Sequence, residues 1–175
     1  MREDDERAYS QYVQGRVLAL QRTAYHLCGD WHEAHDLVQA ALIRLYRHWR
    51  RVSAADSPDA YVRKMLVNVF LDQRRGWWAR HVRPFGDGEQ VAESALAAGV
   101  GSDWSAADGR IDVASALTRL SPGQRAVLVL RYWEGLDVAE TATALGCSTG
   151  TVKSQTSYAI AALRRLMPDY AEEAR

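Results

Sequence analysis

Residues 135–165 read GLDVAETATALGCSTGTVKSQTSYAIAALRR, and this stretch decides the fold. Asp137 sits where it caps a helix, and Glu140 three residues later completes a capping-box spacing. Ala139, Ala142 and Leu145 supply a narrow apolar stripe. Gly146 suits the left-handed turn that ends such a helix. Ser148 then caps a second helix that turns Val152, Ala159 and Leu163 inward. Lys153, Ser154, Ser157 and Tyr158 are left on its outer side, where small, polar and basic groups reach base edges and phosphates. Helix, glycine turn and polar second helix together predict a helix-turn-helix, which makes DNA the leading partner.

The rest of the chain extends this reading. Its 175 residues are 47% hydrophobic and include six tryptophans, enough for a packed core in one domain or two small ones. No apolar run approaches the ~20 residues of a membrane helix. The start, MREDDERAY, lacks the layout of a secretory signal. Cys28 and Cys147 are too isolated for a disulfide framework, which fits a reducing compartment. A cytoplasmic protein with no membrane insertion is expected.

Formal net charge is zero, which is unusual for a DNA binder until the chain is divided. Residues 1–36 carry net −3, residues 44–83 net +7, residues 84–112 net −5, residues 113–168 net +3 and the tail net −2. Two basic blocks thus flank an acidic one. The acidic block, PFGDGEQVAESALAAGVGSDWSAADGR, has no sustained apolar stripe and reads as a flexible linker over 84–111. Helical periodicity fills both sides of it and no β-type alternation persists. An all-α fold follows: two small helical domains, 1–83 and 112–175, joined by that linker.

In the first of these, Val38, Leu42, Leu45 and Trp49 form the buried stripe of one helix. Asp36, Gln39, Ile43, Arg44 and Arg47 fall on its other faces, which suggests a partner surface. Ser57-Pro58 opens the next helix, whose buried side is Val62, Met65, Leu66 and Val69. Lys64, Asn68, Leu71 and Arg75 share a second face, and Arg74, Trp77 and Trp78 follow. A basic helix with tryptophans at its end has three readings: an anionic membrane surface, an ordinary solvated helix, or a groove that tracks nucleic acid with rings meeting unstacked bases. The DNA-reading motif raises the third well above the first.

Gly29-Asp30 through Asp36-Leu37-Val38-Gln39-Ala40-Ala41 to Trp49, and YVRKMLVNVFLDQRR at 61–75, together resemble region 2 of bacterial sigma factors. LTRLSPGQRAVLVLRYWEGLDVAETATALGCSTGTVKSQT at 117–156 resembles region 4. A chain with only these regions is similar to the extracytoplasmic-function (group IV) sigma factors, closest in texture to actinobacterial members. The resemblance implies a factor that binds core RNA polymerase, recognises −35 and −10 promoter elements and assists melting. Asp36, Gln39, Ile43, Arg44 and Arg47 then match the surface that docks on the β′ coiled coil, with the β flap as a second polymerase contact. Relatives often carry Glu at the position of Ala40. The loop at about 51–57, with Ser53, matches the segment that captures a flipped −10 base. Asn68 matches the asparagine on melted DNA, and Lys64, Arg74 and Arg75 the phosphate contacts. Lys153, Ser154, Ser157 and Tyr158 match the −35 reader, although Gln155 and Tyr158 stand where relatives often have Arg, which removes phosphate contacts. The family admits an anti-sigma protein as a further partner, and the acidic linker is consistent with nucleic-acid mimicry or with an ordinary solvated linker.

Other signals point nowhere. His26, Cys28, His32 and His35 cluster in sequence, but Gly29-Asp30 interrupts the helix between them, and no metal is expected. GDGEQ is not a nucleotide-binding loop, and Ser121-Pro122-Gly123-Gln124 reads as a helix start. No cofactor, no catalytic residue and no enzymatic activity of the chain itself are expected. A plain helix-turn-helix regulator and a protein-interaction module remain as rivals; the first leaves residues 1–83 without a role.

Overall fold

A computed structural model of the chain describes residues 3–74 and 113–167. Among them every regular element is a helix. The first half holds α1 (Glu3–Cys28), α2 (Trp31–Ser53) and α3 (Pro58–Gln73). The second holds α4 (Val113–Thr118), α5 (Pro122–Leu128) with a π-helical turn over Val129–Trp133, α6 (Val138–Leu145) and α7 (Thr149–Leu166). None of these helices is long and apolar enough to cross a membrane. The linker, Arg75, Trp77 and Trp78 lie outside the described residues.

The helix boundaries follow from local chemistry. Gly29, at φ 77°, ends α1, and its N–H donates to the Tyr25 carbonyl at 2.6 Å. Asp30 immediately caps α2 by accepting from the Glu33 N–H at 2.9 Å. Ser57 caps α3 with Pro58 in its first turn. Ser121 and Gln124 form a capping box on α5.

The stripe expected on α2 is buried as read: Val38, Leu42, Leu45 and Trp49, with Leu37, Ala41 and Val52 beside them. Tyr9 and Tyr12 of α1 pack their rings on Trp49, and the Tyr9 hydroxyl donates to the Leu42 carbonyl at 3.1 Å. The acidic N-terminus has a role here, since Asp5 accepts from Arg50 at 2.9 Å.

The sequence left open how the halves sit together. One apolar core contains Leu20, Ala24 and Leu27 of α1, Val67 and Phe70 of α3, and also Ala126, Val129, Leu130 and Ala144 of the second half. Burial of this kind, about 25 cal/mol per Å² of apolar surface, holds the halves in one closed body. Two smaller clusters, one around Leu117, Leu128 and Ala159 and one around Val127, Ala142 and Val152, belong to the second half alone.

Two expectations change. Ala139 was expected inward but is exposed, and α6 instead buries Thr141, Ala142 and Ala144. The helix is packed on two sides, by α7 and by α3, so its buried face is shifted from a single stripe. Leu71 was placed with Lys64 and Asn68 on a second face, apart from the buried side of α3, but is buried, for it belongs to the core that the second half helps to close.

Candidate nucleic-acid and polymerase interfaces

The caps and the turn of the helix-turn-helix are built as its sequence reads. The Asp137 carboxylate accepts from the Glu140 N–H at 2.7 Å, and Glu140 returns the contact to the Asp137 N–H at 2.8 Å. Gly146 adopts φ 67°, ψ 35° and hands the chain to Ser148, which caps α7 through the Thr151 N–H at 3.1 Å. Val152, Ala159 and Ala162 pack inward, with Leu163 half-buried. Lys153, Ser157 and Tyr158 are exposed. Ser154 is half-buried, and its hydroxyl donates to the Gly150 and Thr151 carbonyls at 3.1 Å each. It is thus engaged with its own helix, unlike Ser157. Substituting Ser157 is expected to weaken DNA binding more than substituting Ser154, which a fluorescence-anisotropy titration of the two alanine variants checks.

On α2, Asp36, Gln39, Ile43, Arg44 and Arg47 are all exposed. Ile43 is 54% accessible and has Tyr46, at 45%, three residues on. This face is an apolar centre with charged neighbours, a composition suited to a protein partner. Arg44 also meets Asp72 at the end of α3, 3.2 Å away.

Around α3 several cations are paired within the fold. Arg16 pairs with Asp59 at 2.6 Å, and Arg74 with Glu33 at 2.9 Å. Arg74 also lies over the Phe70 ring, 4.7 Å from its centroid, so it is half-buried. Lys64 and Asn68 are half-buried on one face, four residues apart. Ser53 is exposed at the last turn of α2, its hydroxyl donating to the Arg50 carbonyl at 3.3 Å. The helix therefore runs to Ser53, and the turn that follows is shorter than the loop read from the sequence.

Two residues at the junction of the halves were not singled out in the sequence. Arg125 of α5 is buried, and its guanidinium donates to the carbonyls of Leu27 and Thr118 at 2.6 Å each and of Leu120 at 3.2 Å. Leu27 lies in the last turn of α1, where orphan carbonyls carry the negative end of the helix dipole and favour a cation. Burial, with the nearby Arg74 adding to it, lowers the Arg125 pKa to about 10; the side chain remains charged at neutral pH. Glu134 follows the π-helical turn and reaches back to α1 and α3. It accepts from the Thr23 hydroxyl and pairs with Arg63 at 3.3 Å. Only the pattern of an Arg inside the apolar run of α5 hinted at any of this.

The histidines expected not to bind metal have other neighbours. His26 packs against Trp133 with its ring tilted, 3.9 Å between ring centroids, and His35 lies at the edge of Trp31. Burial pushes the Cys28 thiol up to about 11 and also raises that of Cys147. Cys28 sits in the core and Cys147 is half-buried. An alkylating reagent at neutral pH should therefore modify Cys147 first and Cys28 only on unfolding, as intact-mass measurement over time will show.

Comparison with known proteins agrees with this architecture. The family described as Sigma-70 region 2 matches residues 14–80, and that described as Sigma-70, region 4 matches residues 110–168. Together they define a sigma-70-type transcription factor. The RNA polymerase sigma-E factor of Streptomyces coelicolor is 38% identical over 156 residues, covering 89% of this chain and 84% of that one. The ECF RNA polymerase sigma factor SigL of Mycobacterium tuberculosis is 36% identical over 146 residues, covering 83% and 80% respectively. The chain belongs to the extracytoplasmic-function sigma factors, and its activity is promoter-specific initiation of transcription. Among solved structures, the sigma factor RpoE in complex with the anti-sigma factor NepR from Bartonella quintana aligns with a TM-score of 0.63 at 24% identity, covering 91% of this chain and 96% of that one. CnrH in complex with the cytosolic domain of CnrY aligns with a TM-score of 0.56 at 23% identity, covering 92% and 88%. These two likenesses concern the fold alone.

Proposed function

We propose that the two halves divide promoter recognition between them. The outer face of α7 reads duplex DNA at the −35 element through Lys153, Ser157 and Tyr158, with Ser154 beneath them. The observation that carries this is the capped helix-turn-helix with Lys153, Ser157 and Tyr158 exposed along one helix and Val152 and Ala159 buried behind them. α3 and the turn after Ser53 read the melted −10 strand, with Asn68 meeting an unpaired base and Lys64, Arg74 and Arg75 meeting phosphates. The exposed face of α2 from Asp36 to Arg47 docks on the β′ coiled coil of core polymerase, and the second half meets the β flap.

In this reading residues 1–83 and 112–175 are the working domains and 84–111 the linker between them. The protein works in the cytoplasm beside the polymerase, which supplies all the chemistry of RNA synthesis; the chain itself contributes no catalytic group. The sigma factor RpoE of similar fold is solved in complex with the anti-sigma factor NepR, and a protein of that kind is proposed as a partner here.

Asn68→Ala tests the −10 assignment. In the holoenzyme it should leave duplex promoter binding intact and lower the permanganate reactivity of thymines in the −10 region several-fold, since losing one stacking or edge contact to an unpaired base costs about 1–3 kcal/mol. Unchanged reactivity would remove Asn68 from the reader.

A further inference from the structure

Arg63 stands directly before Lys64 on α3, the helix proposed to follow the melted strand, yet its guanidinium is turned to the second half. Its partner is Glu134, with Nε 3.3 Å from the carboxylate and both side chains largely shielded, at 25% and 18% exposure. The pair lines a cleft with Tyr12, Arg16, Thr23 and Asp59. Asp59 is already engaged there by Arg16 and by the Tyr12 hydroxyl at 2.7 Å. Among the described residues, Arg16, Arg44, Arg50 and Arg74 find their carboxylates within the first half, whereas the Arg63 pair joins the two halves. Thr23 of α1 fixes the same carboxylate by a hydrogen bond, so Glu134 is held from two helices at once.

The closed body cannot serve both promoter elements. Elements at −35 and −10 lie about 25 base pairs apart, roughly 85 Å at 3.4 Å per base pair. A compact body of this number of residues has a radius of gyration of about 14 Å, and α6 of the helix-turn-helix packs directly on α3. Residues 75–112 can reach about 130 Å when extended, so the halves can part without strain. Parting breaks the Arg63–Glu134 pair and leaves a cation on α3 beside Lys64.

Resting on the two-element reading above, we propose that Glu134 is an internal stand-in for a promoter phosphate: it holds Arg63 while the chain is closed, and opening hands Arg63 to the DNA backbone next to the −10 element. Arg63 is then a DNA-binding residue that exists only in the open form, and Glu134 is its competitor. A carboxylate and a phosphate oxygen make the same charge-assisted bond to a guanidinium, so the exchange replaces one partner by another of equal chemistry. The closed chain loses DNA affinity twice, through the packing of α6 on α3 and through the neutralised cation.

The test uses full-length chain, alone and bound to core polymerase, as wild type, Glu134→Gln, Arg63→Ala and the double variant. Gln keeps an acceptor for Thr23 and removes the charge, and thermal melts confirm that each variant folds. Free Glu134→Gln should bind a promoter fragment about fivefold more tightly than wild type, because the DNA-competent fraction rises. Its plot of log affinity against log salt should steepen by about one unit. The steepening should vanish in the double variant. In the holoenzyme, where the halves are already apart, Glu134→Gln should match wild type and Arg63→Ala should weaken promoter binding several-fold. Holoenzyme with Arg63→Ala that binds like wild type, or a salt slope raised by Glu134→Gln regardless of Arg63, would overturn the exchange. Failure of the two-element reading is distinguishable, because wild-type holoenzyme would then yield no promoter-dependent transcript whatever Glu134 does.

Discussion

Replacing Lys153 with alanine should lower the affinity of the holoenzyme for a promoter about tenfold and leave the fold intact. Lys153 is exposed on α7, so its removal opens no cavity in the core. On the proposed −35 reading, what is lost is one cationic contact in the major groove. If the ammonium meets a phosphate, the loss is uniform across sequences and the salt slope falls by about one unit. If it meets a base edge, the loss is confined to promoters carrying that base and amounts to about 1–3 kcal/mol. A titration at several salt concentrations on two −35 sequences separates the two. The same titration on Ser154→Ala should show little change, since that hydroxyl is bonded to the Gly150 and Thr151 carbonyls.

Gly29→Ala should cause a large loss of stability. The residue has φ 77°, where a side chain is strained, and a Cβ built there would lie 2.0 Å from the Thr118 Cγ2 of the second half. Thr118 cannot simply rotate away at no cost, because its hydroxyl donates to the Ser115 carbonyl at 2.7 Å while its own carbonyl accepts from Arg125 at 2.6 Å. The added methyl is therefore a wedge at the junction. Strained backbone and overpacking each cost about 1–3 kcal/mol, and the melting temperature should drop by several degrees. Thr118→Ala in the same background removes the obstructing methyl and should recover the steric share, leaving the backbone share. A double variant no more stable than Gly29→Ala alone would show that the closed junction does not form in solution.

The elements that a sequence shows best are those governed by local rules. The Asp137–Glu140 box, the Gly146 turn and the Ser148 cap are matters of a few adjacent residues, and each is present at the position read from the chain. The α2 stripe is equally legible because Val38, Leu42, Leu45 and Trp49 answer to one packed face. Ala139 and Leu71 mislead for the opposite reason. Their environments are set by contact between halves that are far apart in sequence, and helical periodicity carries no term for that. Arg125 and Glu134 are hidden likewise. Arg125 has no nearby carboxylate in sequence to announce it, since its partners are backbone carbonyls, one of them across the junction at Leu27. Glu134 looks like any charged residue before a glycine turn until the π-helical turn swings it to Thr23 and Arg63.

The exposed face of α2 and that of α7 are legible as available surfaces, but what they meet is decided outside the chain. Arg74 shows the difference most plainly. As sequence it is one more cation in a basic block; in the fold it is shared by Glu33 and the Phe70 ring, so any role on DNA requires it to exchange partners.

On the proposed reading this chain directs RNA polymerase to promoters through two separated elements. Run-off transcription with purified core polymerase and the full chain tests it most directly, on templates carrying both elements, either one alone, or neither. A discrete transcript that requires the chain and falls sharply when either element is removed is the predicted result. Specific DNA binding by the chain with no promoter-dependent transcript on the two-element template would contradict it.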